Sequence, residues 1–188
     1  MNKEELLKLY NSDLEQLLEK ASKYIKNEVE FCSLINARSG KCSQDCKYCA
    51  QSAHYRTDIE EYPLISKEEV IKAAEEAKTN GVIRFAVVTS GKSPDEENFD
   101  KILGFIDELN KIEGIRSCAS IGILNEEQAK ELSKHGLKRF HHNINTSESY
   151  YKDICTTQTW KDRLNTCKLV KKYGMELCCG VILGMGET

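Results

Sequence analysis

From Phe31 onward the chain alternates between short apolar runs and amphipathic helical periods, and the helical periods stop at glycine. The run FCSLINA opens the series. Ser66 with Glu69 then opens a helix stopped at Asn80-Gly81, and VIRFAVVTS reads as a strand. Ser93-Pro94 with Glu96 opens the next helix, with proline at its first position. Phe99, Ile102, Leu103, Ile106 and Leu109 share one face of it, and Gly114 ends it before the strand GIRSCASIG. Asn125 with Gln128 opens a helix stopped at Gly136, and LKRFHHNINT follows as a strand. Thr159 with Asp162 opens another, through Leu164, Cys167 and Val170 to Gly174, and MELCCGVILG is the fifth strand. Such alternation builds right-handed βαβ crossovers on a parallel sheet. A complete (β/α)8 barrel takes roughly 250 residues, and this chain has 188. The expected fold is therefore α/β, a TIM-type barrel represented by about its first five β/α units and truncated at its C-terminal side.

Residues 1–30 read as an N-terminal helical extension to a partial barrel core at 31–188. Leu6 and Leu9 form one apolar edge, and Leu14, Leu17, Leu18 and Ala21 another. Ser12 with Glu15 reads as a capping box. The net charge of −3 comes without a basic run or an acidic tail, so nothing suggests nucleic-acid binding. No signal peptide is recognisable, and no apolar run approaches a membrane span. A cytoplasmic protein is expected. Nine cysteines, an odd number without a secretion signal, argue against a disulfide framework and for metal binding or thiol chemistry.

Three of the nine stand in KCSQDCKYCAQS, as Cys42, Cys46 and Cys49. The C-x3-C-x2-C loop follows the first strand, at the C-terminal end where α/β folds place reactive groups. Scattered core cysteines rarely cluster so tightly. A structural zinc site normally has four Cys or His ligands, and His54 is the only nearby histidine. The third reading is an iron–sulfur cluster held by three soft thiolates, with one iron open to another ligand.

The spacing, with Tyr48 as the aromatic residue before the last cysteine, resembles the signature of radical S-adenosylmethionine (SAM) enzymes. KCSQDCKYCAQSAHYRT, RSCASIGILNEEQAKELSKHGL, HHNINTSESYYKDICTTQTWKDRLNT and CCGVILGMGET together resemble the biotin synthase family, in order and in separation. The resemblance runs from about Cys32 to the last residue. It implies a radical SAM barrel in which Cys42, Cys46 and Cys49 hold a [4Fe-4S] cluster and SAM chelates the fourth iron. It implies a 5′-deoxyadenosyl radical that takes hydrogen from two carbons of dethiobiotin, and sulfur supplied by an auxiliary cluster to form biotin. Tyr48 would lie near the adenine. Asn143 and Asn145 would contact ribose and substrate, both pointing the same way from the fourth strand. Arg163 would contact the SAM carboxylate. Gly180, Ile182, Gly184 and Glu187 fit the G-x-I-x-G-x-x-E pattern beside the adenine. The family commonly has aspartate where this chain has Asn145, so the ribose contact should be weaker or differently arranged. An electron donor such as flavodoxin or ferredoxin and a homodimer are also implied; the five-unit piece is expected to be inactive alone.

The resemblance gives the auxiliary [2Fe-2S] cluster cysteines on strands two, three and five and an arginine on strand six. Cys118 and Cys178 match strands three and five, but Ala86 stands at the strand-two position. Cys32, on the neighbouring first strand, is expected to compensate, so that Cys32, Cys118 and Cys178 ligate an auxiliary iron–sulfur cluster of a variant type. If they face inward, so do Asn36, Arg116, Ser120 and Gly180. Cys179 is read as facing the helices, Cys167 as core and Cys155 as an ordinary loop thiol. Two other readings remain within the superfamily, a hydrogenase maturase and a methylornithine synthase. A non-catalytic iron–sulfur or zinc protein is the alternative from another class, which the G-x-I-x-G-x-x-E strand and Arg163 disfavour.

Overall fold

The computed structural model describes residues 1–26 and 28–187. The chain divides into two compact units, Met1–Glu30 and Phe31–Thr188. The first holds α1 (Lys3–Tyr10) and α2 (Leu14–Ser22), neither of which buries a residue. The cap of α2 is Asp13, whose carboxylate accepts from the Gln16 N–H at 2.8 Å, and not Ser12. Ser12 instead donates its hydroxyl to the Lys8 carbonyl, closing the preceding helix.

In the second unit β1 (Phe31–Arg38), β2 (Val82–Thr89), β3 (Arg116–Ser120), β4 (Arg139–His141) and β5 (Glu176–Cys178) form one parallel sheet in chain order. The crossovers carry α3 (Lys67–Thr79), α4 (Glu96–Leu109), α5 (Glu126–Lys134), the short α6 (Tyr151–Ile154) and α7 (Trp160–Lys172). The expected capping boxes at Ser66, Asn125 and Thr159 are all present. At α4 the cap is Asp95, one residue past Pro94, because its carboxylate can take the orphan Asn98 N–H at 2.9 Å.

The alternation of side chains sorts the sheet into two faces. Phe85, Val87, Ala119 and Phe140 point to the helices and pack with Val70 and Ala74 of α3, Ile102, Ile106 and Leu109 of α4, Leu132 of α5 and Val170 of α7. Each of the larger side chains contributes about 1.5–3 kcal/mol relative to exposure. The opposite face carries the register row Leu34, Ala86, Cys118, Arg139 and Glu176. Leu34 is 61% exposed there, so the concave side is open along β1.

β4 and β5 are shorter than their apolar runs suggest. The regular strand ends at His141, and Asn145 takes φ 68°. The His142 N–H still donates to Cys178 O at 2.9 Å, and an isolated bridge then joins Asn145 to Val181. After β3 the chain turns at Gly122 with φ 91°, where an added Cβ would lie 2.3 Å from the Lys92 carbonyl oxygen. That oxygen accepts the Ile123 N–H at 2.7 Å, so it cannot retreat without breaking the contact. Gly122→Ala is expected to destabilise the fold by about 2 kcal/mol or more; an unshifted denaturant midpoint would contradict this.

Candidate active site

The three clustered cysteines sit on the loop after β1, and backbone bonds shape that loop. The Cys42 N–H donates to Gln51 O at 3.0 Å, the Ala53 N–H to Cys42 O at 2.8 Å, and the Cys49 N–H to Cys46 O at 3.0 Å. Asp45, between the first two cysteines, ties the loop to the segment after α6. Its carboxylate accepts from the Thr156 N–H at 2.9 Å, the Thr156 hydroxyl at 2.5 Å, the Thr157 N–H at 3.1 Å and the Thr157 hydroxyl at 2.8 Å. The Lys47 N–H adds a bond to Ile154 O at 3.0 Å. The bonds from Thr156, ahead of those from Thr157, hold the Asp45 carboxyl far below the usual carboxylate range.

Clamped in this way, the loop closes one wall of a cavity of about 280 Å³. Cys42, Cys46, Tyr48, Cys49, Asn143, Asn145 and Arg163 all line it, together with Ser90, Gly91, Gly122, His141 and His142. Asn145 is its organiser. With its amide oxygen turned toward them, it accepts from Tyr48 Oη at 2.5 Å, Arg163 Nε at 3.0 Å and Arg163 Nη2 at 3.2 Å. Arg163 Nε also donates to Asn143 O at 2.6 Å. Asn143 and Asn145 reach the same cavity, but not by strand alternation: Asn143 is exposed, whereas Asn145 is buried in a left-handed turn. Asparagine tolerates that conformation and supplies a neutral acceptor.

The G-x-I-x-G-x-x-E segment meets the same residue. Gly180 O accepts the Asn145 N–H at 3.3 Å, and the Ile182 N–H donates to Asn145 O at 2.7 Å. A Cβ at Gly180 would come 3.4 Å from Asn143 Oδ1. Gly184 takes φ 86°, and Glu187 folds back to accept the N–H groups of Gly184 at 2.7 Å and Met185 at 2.9 Å. Glu187 thus closes its own turn.

Burial governs the titrations here. It pushes the Cys46 thiol up to about 12, with the Cys155 thiol adding to the effect. It raises the Tyr48 phenol well above its ordinary range, so Tyr48 remains a proton donor. It lowers His142 to about 3, helped by the Arg163 charge, and also lowers His141, helped by Arg139 and Arg84. Both imidazoles are neutral near pH 7.

A second cavity, of about 570 Å³, lies lower on the concave face. Cys32, Leu34, Arg84, Ala86, Cys118 and Arg139 line it, with Val88, Ser120 and His141 shared with the first. Cys32 and Cys118 are therefore brought together. Cys178 does not line this cavity, but it is the register partner of His141 and so points to the same face. Glu176 bridges Arg84 at 3.2 Å and Arg139 at 2.8 Å. Burial raises the Cys118 thiol, and the two arginines oppose that rise.

Residues 37–188 match the radical SAM superfamily. The chain belongs to that superfamily. It is 43% identical over 192 residues to a biotin synthase of Clostridium perfringens strain 13, covering 100% of this chain and 60% of the relative. It is 49% identical over 166 residues to a biotin synthase of Acetivibrio thermocellus, covering 88% and 52%. The chain thus spans between half and two thirds of the length of these relatives. Among solved structures, a methylornithine synthase superposes with TM-score 0.78 at 19% identity, covering 99% of this chain and 53% of that one. A maturase of the [FeFe]-hydrogenase gives 0.74 at 23%, covering 94% and 42%. These two share the radical SAM barrel fold, of which the five-stranded sheet is a part.

A [4Fe-4S] cluster and SAM go with the superfamily, and the donors present fit a thiolate-held group. Three thiols face one cavity, beside an arginine and a tyrosine hydroxyl. Among the described residues, no three His, Cys, Asp or Glu side chains close into a single-ion site.

Two corrections concern the other cysteines. Cys155 is buried, not an ordinary loop thiol: its Sγ lies 3.6 Å from Cys46 Sγ, within an apolar cluster with Tyr151 and Ile154. Gln158 Nε2, also 3.6 Å from Cys46 Sγ, is a further neighbour that the sequence reading missed. Both lie over 100 residues from Cys46, and only folding reveals the proximity. Cys179 faces the Cys167 thiol on α7 as expected, but it is exposed and contributes no core packing. Cys167 is buried as expected.

Replacing Asp45 with alanine is expected to free the cysteine loop at a cost of about 2 kcal/mol, since charge-assisted bonds are lost. Anaerobic reconstitution followed by iron analysis checks this, with reduced iron retention expected. An aspartate titrates near 3.9 when unfolded, and Asp45 titrates lower when folded. The clamp is therefore complete above about pH 4 and lost only as pH falls further, so iron retention should show no clamp-dependent change between pH 5 and 8. At Asn145, a glycine keeps the left-handed backbone but removes the acceptor. Asn145→Gly is expected to weaken SAM binding about tenfold, the loss of one to two hydrogen bonds, with less unfolding than Asn145→Ala; calorimetric titration and thermal melts separate the two.

Proposed function

We propose that this chain is the catalytic barrel portion of a biotin synthase, a radical SAM enzyme that inserts sulfur into dethiobiotin. The observation that carries the reading is the joint lining of one cavity by the C-x3-C-x2-C cysteines, Tyr48, Asn145 and Arg163. The identity of 43–49% to biotin synthases supports this substrate over those of the maturase and methylornithine synthase, whose likeness lies in the fold.

Cys42, Cys46 and Cys49 hold the [4Fe-4S] cluster. When bound, the cluster and SAM supply the electron transfer and hydrogen abstraction that no side chain can perform. The protein's part is to bind, orient and exclude water. Arg163 presents its guanidinium to the SAM carboxylate, held in place by Asn143 O and Asn145. Tyr48 offers an aromatic face to the adenine, with its hydroxyl anchored on Asn145. Asn143 directs its amide toward ribose and substrate. The backbone of Gly180 and Ile182, hydrogen-bonded to Asn145, forms the remaining edge of the adenine site, and Gly184 with Glu187 fixes the turn that follows. Asn145 spends its acceptor on Tyr48 and Arg163, so its role is to orient those two groups more than to bind ribose directly.

The sulfur source is a second iron–sulfur cluster on the concave face, for which Cys32 and Cys118 of the lower cavity and Cys178 of the neighbouring β5 are the proposed ligands. Arg84 and Arg139 line that cavity, both bridged by Glu176. A flavodoxin or ferredoxin supplies electrons, and the working protein is a homodimer. No helix among the described residues is long and apolar enough to cross a membrane.

The test is anaerobic turnover by the native polypeptide with SAM, dethiobiotin and a low-potential reductant. Biotin should form, and Cys42→Ala should reduce the rate below detection. SAM cleavage without biotin would refute the substrate assignment. Mössbauer spectra of Cys32→Ala should show the second cluster altered and the first unchanged.

A further inference from the structure

Cys155 has no part in the function proposed above, but its Sγ lies 3.6 Å from that of Cys46. Flanking bonds hold the two residues opposite each other. One residue before Cys46, the Asp45 carboxylate accepts the Thr156 N–H at 2.9 Å. One residue after it, the Lys47 N–H donates to Ile154 O at 3.0 Å. The two segments thus pass in opposite directions, with the thiols facing between two fixed ties. The pair also stands between two cavities. Cys46 lines the one shared with Cys42 and Cys49. Cys155 lines a different one, of about 490 Å³, with Lys152, Trp160 and Lys161. Small molecules therefore reach the two sulfurs from separate sides.

The sulfurs of a disulfide are about 2.0 Å apart, so a bond here needs an approach of about 1.5 Å. We propose that Cys155 is a resolving thiol for Cys46, closing a reversible Cys46–Cys155 disulfide when peroxide reaches a Cys46 that has lost its iron. The inference rests on the reading of Cys46 as an iron ligand. A cysteine ligand is a thiolate, and it leaves iron as one. Attack of that thiolate on hydrogen peroxide forms an S–O bond, breaks the O–O bond and releases hydroxide, leaving Cys46 as a sulfenic acid. The Cys155 sulfur then bonds to the Cys46 sulfur and the S–O bond breaks, with the hydroxyl leaving as water on the Cys155 proton. Peroxide is reduced by two electrons and the sulfur pair is oxidised by two. Without a partner thiol, the sulfenic acid goes on to sulfinic acid, which thiols do not reduce. Repair uses the outer cavity. A small thiolate attacks Cys155 and expels Cys46 as a thiolate ready for iron, and a second thiol clears Cys155.

The test loads the native polypeptide anaerobically with iron and sulfide, strips the iron with excess hydrogen peroxide, alkylates free thiols and maps unreduced peptides by mass spectrometry. A Cys46–Cys155 cross-linked peptide is expected, and dithiothreitol followed by a second loading should restore most of the iron. Cys155→Ser and Cys155→Ala should load like the native chain at first. After peroxide, their Cys46 sulfinic acid should rise roughly fivefold and their second loading should fall to about half. Cross-links joining Cys46 to Cys42 or Cys49, no Cys46 cross-link at all, or variants that reload as well as the native chain overturn the role of Cys155. Failure of both variants to load at first also overturns it, because Cys155 would then belong to the iron site. Cys46→Ala separates the two readings: unchanged iron in that variant refutes Cys46 as a ligand and this proposal with it, whereas lost iron leaves the ligand reading standing whatever the peptide map shows.

Discussion

The candidate site depends on one carboxylate. Asp45 belongs to the loop after β1, and the groups that satisfy it belong to the loop after α6, more than 100 residues later. Without that bond set, the cysteine loop would keep only single ties to the later segments, such as the Lys47 N–H to Ile154 O. With it, Cys46 is pressed against Cys155, Ile154 and Tyr151, and Tyr48 is brought within reach of Asn145. Four hydrogen bonds on one ionised group explain both the low affinity of Asp45 for a proton and the shape of the cavity.

The sheet divides labour between its faces. The helix side is continuous apolar packing, from Ala37 on β1 to Phe140 on β4. The concave side carries cysteines, arginines, a histidine and a glutamate in the same strands, offset by one residue. A one-residue slip would exchange the two sets and destroy both core and site. The buried helical side therefore fixes the register that places Cys118 beside Cys32.

Much of this was legible in the sequence. The capping boxes at Ser66, Asn125 and Thr159 and the glycine stops marked the helices, since those signals are local. The C-x3-C-x2-C loop and Arg163 were legible because their chemistry is specific to their spacing and family. The offset of the α4 cap to Asp95, and of the α2 cap to Asp13, escaped because two adjacent residues could each serve, and only geometry chooses. The early end of β4 escaped because HHNINT alternates as a strand would, while the left-handed turn at Asn145 depends on its bonds to Gly180 and Ile182. Cys155, Gln158 and His141 escaped for a plainer reason. Their significance comes from neighbours distant in sequence, and no period or motif encodes that.

The wall formed by Val88, Ser120 and His141 has a consequence for how this protein can change. A partition one side chain thick has no private positions: each of its residues is read from both chambers. Substitutions at these three sites should therefore be strongly epistatic with changes on either side, unlike those at well-separated sites, whose effects usually add. Lineages that alter the contents of one chamber must re-tune the other at the same time. Such a wall constrains evolution more tightly than either site does alone.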